Sequence, residues 1–102
     1  MIQEINATEF DQVAQSNDLS VLKIGAGWCA ACKAIQPAIE GMAESFKDVR
    51  FYDMDADKNT DFVLGLGVKS LPTFVFLKAG EKLSVEKGLE PASLKNRIET
   101  LR

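Results

Sequence analysis

The sequence predicts an α/β fold: a central mixed β-sheet of four to five strands flanked by about four helices. Three observations lead there. Strand-like and helix-like segments alternate along the whole chain, in the order β-α-β-α-β-α-β-β-α. The series closes with a hairpin and a helix, so at least one strand runs against the others and the sheet is mixed. The chain has 102 residues, of which 46% are hydrophobic, enough to bury one core without crosslinks, so residues 1–102 are read as a single domain.

Ile2 to Ile5 is a short strand. Thr8 is expected to cap a helix through Gln15, with Phe10, Val13 and Ala14 on one face. "LSVLKIGAG" is an apolar run broken by one lysine, the pattern of a strand covered on both faces. Cys29 to about Phe46 reads as a long helix with Ile35, Ile39, Met42, Ala43 and Phe46 at helical spacing, and Pro37 is expected to kink it. "VRFYDMD" is the next strand. Asn59 is expected to cap a short helix to about Leu64, ended by Gly65 and Gly67. "LPTFVFLK" is rich in β-branched and aromatic residues and makes a strong strand. "AGE" is a turn in which Gly80 takes positive φ, and "LSVEKG" is a final strand with Leu83, Val85 and Lys87 alternating against Ser84 and Glu86. Pro91 opens the last helix, whose buried stripe is Leu94, Ile98 and Leu101.

Charge and composition remove several function classes. The net charge is -3 and no lysine-arginine cluster occurs, so no nucleic-acid or anionic-membrane partner is expected. The chain contains no histidine, which removes Ser-His and Cys-His dyads and histidine-bound metals. No apolar run approaches the roughly 18 residues of a membrane span. The first residues, "MIQEINATEF", lack the basic and apolar blocks of a secretory signal, so a cytoplasmic location is expected.

The only two cysteines, Cys29 and Cys32, stand in "WCAACK" where a buried strand meets a helix. A thiolate at a helix start is favoured by unpaired N–H groups and the helix dipole, which lowers the pKa of Cys29. Cys32, one turn in, can reach it and is better covered. Three other readings compete. A structural disulfide closes too small a loop to remove much chain entropy. A zinc site needs about four ligands, which two cysteines without histidine do not supply. Two inert core cysteines sit awkwardly behind Trp28. The reactive dithiol is the favoured of the four readings.

"WCAACKAIQP" resembles the active-site segment of the thioredoxin family, commonly WCGPCK with a proline four residues beyond its lysine, here Pro37. "GVKSLPTF" is similar to the family's second segment and would put its cis-proline at Pro72. "DMDADKN", "KAGE" and Gly88 match in order and spacing, so the resemblance covers essentially the whole chain. It implies a thioredoxin fold and thiol–disulfide exchange. Cys29 would attack a substrate disulfide, and Cys32 would resolve the mixed disulfide and release the reduced substrate. Trp28, Leu71, Pro72, Gly88 and Met54 would form the substrate-docking surface, although Met54 and Leu71 also read as ordinary core residues. The partners implied are protein disulfides and a separate flavin-containing, thioredoxin reductase-like electron donor. No cofactor and no metal are expected on the chain itself, which is expected to be a monomer.

The sequence departs from the family pattern at several positions. Ala30 and Ala31 replace the usual Gly-Pro; Ala31 would add an N–H near the sulfur and make the couple more oxidising. Lys23 stands where many members carry a buried Asp, and either points at the sulfurs and tunes them or runs its stem out to solvent. Phe51 stands where many members place the lysine that partners that Asp, so both partners would be lost together. Gly25 lacks a frequent aromatic, leaving the floor of the motif less packed. The function expected is a protein disulfide reductase. The alternatives are a disulfide oxidant or isomerase-like protein, and a docking module of the same fold, non-catalytic or redox-switched.

Overall fold

The computed structural model describes residues 2–102. Its five strands form one sheet in the order β1-β3-β2-β4-β5. They are β1 (Gln3–Glu4), β2 (Ser20–Gly25), β3 (Arg50–Asp55), β4 (Thr73–Lys78) and β5 (Glu81–Lys87). β1 and β2 run parallel to β3, while β4 is antiparallel to β2 and β5 to β4, so the sheet is mixed as expected. The helices are α1 (Phe10–Ala14), α2 (Ala30–Ser45), α3 (Thr60–Gly65) and α4 (Pro91–Leu101).

Alternation along the central strands separates two cores. Val21 on β2 and Phe74 and Phe76 on β4 point to one face, where Ile35 and Ile39 of α2 and Leu94 and Ile98 of α4 cover them. Leu22 and Ile24 of β2 and Val75 and Leu77 of β4 point to the other, against Ala14 of α1 and Val63 of α3. β2 is buried along its entire length, which explains its near-continuous apolar run. Lys23 lies on the α2 side by the same alternation, and so beneath the helix that begins at the cysteines.

Three local expectations are corrected. The cap before α1 is Asn6, not Thr8. Asn6 Oδ1 accepts the Glu9 N–H at 3.1 Å and Glu9 Oε1 accepts the Asn6 N–H at 2.9 Å, a reciprocal capping box opening a 3-10 turn (Ala7–Glu9) ahead of the helix. Asn59 stands at the start of α3, but its side chain does not cap it; it accepts from Ala7 N and donates to Asp55 O, both at 2.9 Å, joining the α1 entry to the end of β3. In β5 the simple alternation fails at Leu83. The β4 register jumps from Phe76↔Ser84 to Leu77↔Lys82, so Leu83 is the extra residue of a bulge and turns into the α2/α4 core while Val85 packs on the opposite face. Pro37 lies within α2, which continues on both sides of it.

Candidate active site

β2 ends at Gly25, and a turn closed by Cys29 N–H on Ala26 O at 3.1 Å leads into α2. Cys29 is the N-cap of α2: its backbone is extended (φ -86°, ψ 107°) and its Sγ accepts the Cys32 N–H at 3.2 Å. The two cysteines are joined as a disulfide, with Cα atoms 5.3 Å apart. The Cys29 sulfur therefore occupies the place of the thiolate of the reduced protein, at a helix start that favours negative charge. Cys29 is 7% exposed and Cys32 3%, so Cys32 is the better covered of the two. The amide at Cys29 Sγ belongs to Cys32, which is present whatever residue stands at position 31. Ala30 and Ala31 form the exposed first residues of α2.

Lys23 does not run to solvent. Its side chain is 11% exposed; Nζ donates to Cys32 O at 3.1 Å and to Gln36 Oε1, and lies 3.8 Å from Asp53 Oδ1. The strand register puts Lys23 directly opposite Asp53, whereas Phe51 is opposite Val21 and buried in the core. The expectation that Phe51 marks a lost ion pair is thus corrected: a pair is present, with the cation on β2 and the carboxylate on β3. Only the alignment of two strands reveals this, and a count along one strand does not. Asp53 Oδ2 accepts from Gln36 Nε2 at 3.2 Å, while Oδ1 is buried and accepts no hydrogen bond. Burial raises the pKa of Asp53 above the usual carboxylate range; Lys23 and the Gln36 hydrogen bond pull it down, and Glu40 and Glu4 push it up further.

Gly25 is not a gap in the floor. A Cβ built there would meet Cys32 Sγ at 3.1 Å and Lys23 Cε at 3.4 Å, so these atoms already fill the space. Behind the cysteines lies a cavity of about 390 Å³ lined by Lys23, Gly25, Cys32, Gln36, Asp53 and Met54 among others. Met54 is 2% exposed and packs in the α1/α3 core, so its side chain is not offered as an outer rim.

Two grooves flank the pair. Trp28, 70% exposed, anchors its indole N–H on Asp57 Oδ2 at 2.8 Å and shares a groove of about 300 Å³ with Val68 and Leu71. Ala31, Pro72 and Gly88 line the second, of about 340 Å³. The Leu71–Pro72 peptide is cis, and Gly88 has φ +65° with nothing within 4 Å of a built Cβ, which leaves that flank open. Trp28 and Leu71 thus lie on one flank of the pair, and Pro72 and Gly88 on the other. The sequence did not single out Asp53, Gln36 or Asp57 as site residues; Gln36 carries one signal, its place one turn beyond Cys32 on α2. Among the described residues no group of three or more His, Cys, Asp or Glu could hold a metal ion.

The family model described as thioredoxin matches residues 1–100. The chain belongs to the thioredoxin family. It is 38% identical to thioredoxin-2 of Saccharomyces cerevisiae over 94 residues, covering 91% of this chain and 90% of that protein. It is 36% identical to thioredoxin H2 of Arabidopsis thaliana over 93 residues, covering 91% and 70% respectively. Among solved structures, oxidised mitochondrial thioredoxin 3 of Saccharomyces cerevisiae superposes with a TM-score of 0.91 at 34% identity, covering 98% of this chain and 95% of that one. The disulfide within WCxxC and thioredoxin relatives over most of the chain make this protein a thiol–disulfide oxidoreductase that reduces protein disulfides. No helix is long and apolar enough to cross a membrane.

Proposed function

We propose that Cys29 is the attacking thiolate and Cys32 the resolving thiol of this reductase. The observation that carries the assignment is the capping geometry: Cys29 Sγ sits at the start of α2 with an N–H directed at it, and Cys32 lies behind it with the smaller exposure. Trp28 and Leu71 on one side, and Pro72 and Gly88 on the other, bound the approach of an extended substrate segment, whose backbone would lie beside Leu71–Pro72. A separate thioredoxin reductase-like flavoprotein supplies the electrons, and the protein acts as a cytoplasmic monomer. Reduction of insulin disulfides, with dithiothreitol and then with candidate reductases, tests the reading. Cys29→Ser abolishes turnover, and Cys32→Ser accumulates a covalent mixed disulfide with the substrate. Retention of activity by Cys29→Ser overturns the assignment.

The couple is more oxidising than that of Gly-Pro relatives. The support is Lys23, whose ammonium is held on the Cys32 carbonyl where many members carry a carboxylate. A cation there stabilises thiolate and hence the reduced form. Equilibration with glutathione measures it, about 30 mV corresponding to 1.4 kcal/mol. A potential equal to or below that of a Gly-Pro member removes this part of the reading.

A further inference from the structure

Lys23 and Asp53 face each other across β2 and β3, yet they do not close into contact. Nζ stands 3.8 Å from Asp53 Oδ1, beyond hydrogen-bond reach, and Oδ1 is buried without a hydrogen bond. A lysine and a carboxylate in direct contact lie about 2.7–2.9 Å apart. What stands between these two comes from α2. Gln36 Oε1 accepts from Lys23 Nζ, and Gln36 Nε2 donates to Asp53 Oδ2 at 3.2 Å. An amide can do both at once, accepting from a cation at one end and donating to an anion at the other. Gln36 is one turn beyond Cys32, and helical side chains lean back toward the helix start, so its amide reaches the turn that holds the cysteine. Lys23 Nζ, held there, also donates to Cys32 O at 3.1 Å. Its stem and Cys32 Sγ are neighbours as well: a Cβ built on Gly25 would meet Sγ at 3.1 Å and Lys23 Cε at 3.4 Å. Among the described residues, Gln36 is the one side chain hydrogen-bonded to either member of the pair.

We propose that Gln36 is a positioning residue for the redox couple: its amide spaces Lys23 from Asp53 and so holds the ammonium against the turn of Cys32. This deepens the reductase reading above and rests on it. Two attractions compete for the lysine. In direct contact with a carboxylate, its charge is largely cancelled as felt a few ångströms away. Spaced from the carboxylate by a neutral amide, the ammonium presents more of its charge to the cysteines, where it stabilises thiolate and hence the reduced form. Without the amide, each charge loses a hydrogen bond in a half-buried site, and the two satisfy each other by closing. The positive charge then moves off Cys32 toward β3. Lys23 and the Gln36 hydrogen bond both pull the Asp53 pKa down, so the carboxylate senses each of them. The other charged groups around this cavity are Glu4, Lys33 and Asp55, with Glu40 acting on Asp53. Glu4 pairs with Lys58, and Asp55 Oδ1 accepts the Asp57 N–H. None of these is bonded to Lys23, so the place of its charge falls to Gln36.

Two variants test this. Gln36→Met keeps the stem length and the helix propensity and removes both hydrogen bonds. Gln36→Asn keeps the amide on a stem one methylene too short to bridge the pair. In each, equilibration with glutathione is expected to shift about threefold to tenfold toward the disulfide, a potential lower by about 15–30 mV. The pH profile of Cys29 alkylation by iodoacetamide is expected to move up by about half to one pH unit. Adding Gln36→Met to Lys23→Met/Asp53→Asn, where no charge remains to be placed, is expected to leave both readouts where that background sets them. An unchanged equilibrium in either folded single variant overturns the proposal. An equal shift in the uncharged background overturns it too, because the effect then comes from the packing of α2. Failure of the dithiol cycle would show instead as no exchange with glutathione in the native protein, and the alkylation profile would still decide the role of Gln36. A native potential no higher than that of a Gly-Pro relative removes the oxidising couple, while a further drop in Gln36→Met still assigns the spacing to Gln36.

Discussion

At the residue scale the site turns on two exchanges, a cation for a carboxylate at position 23 and a glycine at position 25. Burial is the main cause of the raised Asp53 pKa, so between the ordinary carboxylate range and that raised value the folded state holds a proton the unfolded chain has lost. Stability from this group is therefore greatest in acid and declines as pH rises through that window. Urea unfolding of the native protein and of Lys23→Met/Asp53→Asn, compared across pH, is expected to show the native protein losing ground as pH rises and a constant difference above the folded pKa. A difference that grows in the native protein's favour with rising pH would mean that the ion pair outweighs burial. Gly25→Ala tests the floor. Its Cβ would crowd Cys32 Sγ, which is fixed in the disulfide and free to rotate as a thiol. The oxidised form is expected to lose about 1–2 kcal/mol more than the reduced form. That raises the potential by roughly 20–40 mV, read by glutathione equilibration. The presence of the cysteines, Trp28 and Pro72 was legible because each is marked by its own letter and its spacing. The Lys23–Asp53 pair was not, because it exists only through the registration of β2 on β3.

At the element scale, periodicity identified the sheet strands and both long helices, since a buried face repeats along one segment. The failures share a different cause: a choice between neighbouring devices. Asn6 and Thr8 could each cap the first turn, and Glu9, three residues after Asn6, decides for Asn6 by answering its N–H. Leu83 could alternate or bulge, and β4 decides. The hairpin between β4 and β5 shows the same interplay. Its two turn residues, Ala79 and Gly80, have φ of +52° and +82°, the primed geometry that matches strand twist. Their N–H groups also donate to Ser16 O at 2.8 Å and Ala14 O at 2.6 Å, docking the turn on the end of α1. Glycine at 80 suits its angle, but alanine at 79 is strained there. Ala79→Asn is expected to raise stability by about 0.5–1 kcal/mol, measured as the shift of the urea midpoint at constant slope. No gain would mean that the contacts to α1, rather than the turn, set the angle.

At the scale of the whole molecule one sheet carries two cores, and the site lies at the end of the strands that separate them. β4 makes the coupling explicit: Phe76 and Leu77 are neighbours in sequence, at most 1% exposed, and belong to opposite cores. If the cores are two sides of one cooperative unit, loss of packing on either face destabilises the same transition. Phe76→Ala is expected to cost about 3–5 kcal/mol and Leu77→Ala about 2–5 kcal/mol. Both are large fractions of the roughly 5–15 kcal/mol typical of a domain. Each variant should keep a single urea transition with the native slope and a lower midpoint, seen alike by far-UV circular dichroism and by the fluorescence of Trp28, the single tryptophan beside the disulfide. The Trp28 signal reports the site, and the dichroism reports the sheet and helices together. If Leu77→Ala unfolded its face in a separate earlier transition, the two probes would part, and residues 1–102 would be two stability units sharing a sheet. Coincident curves for both variants would establish that the surroundings of Cys29 and Cys32 melt only when the entire sheet does.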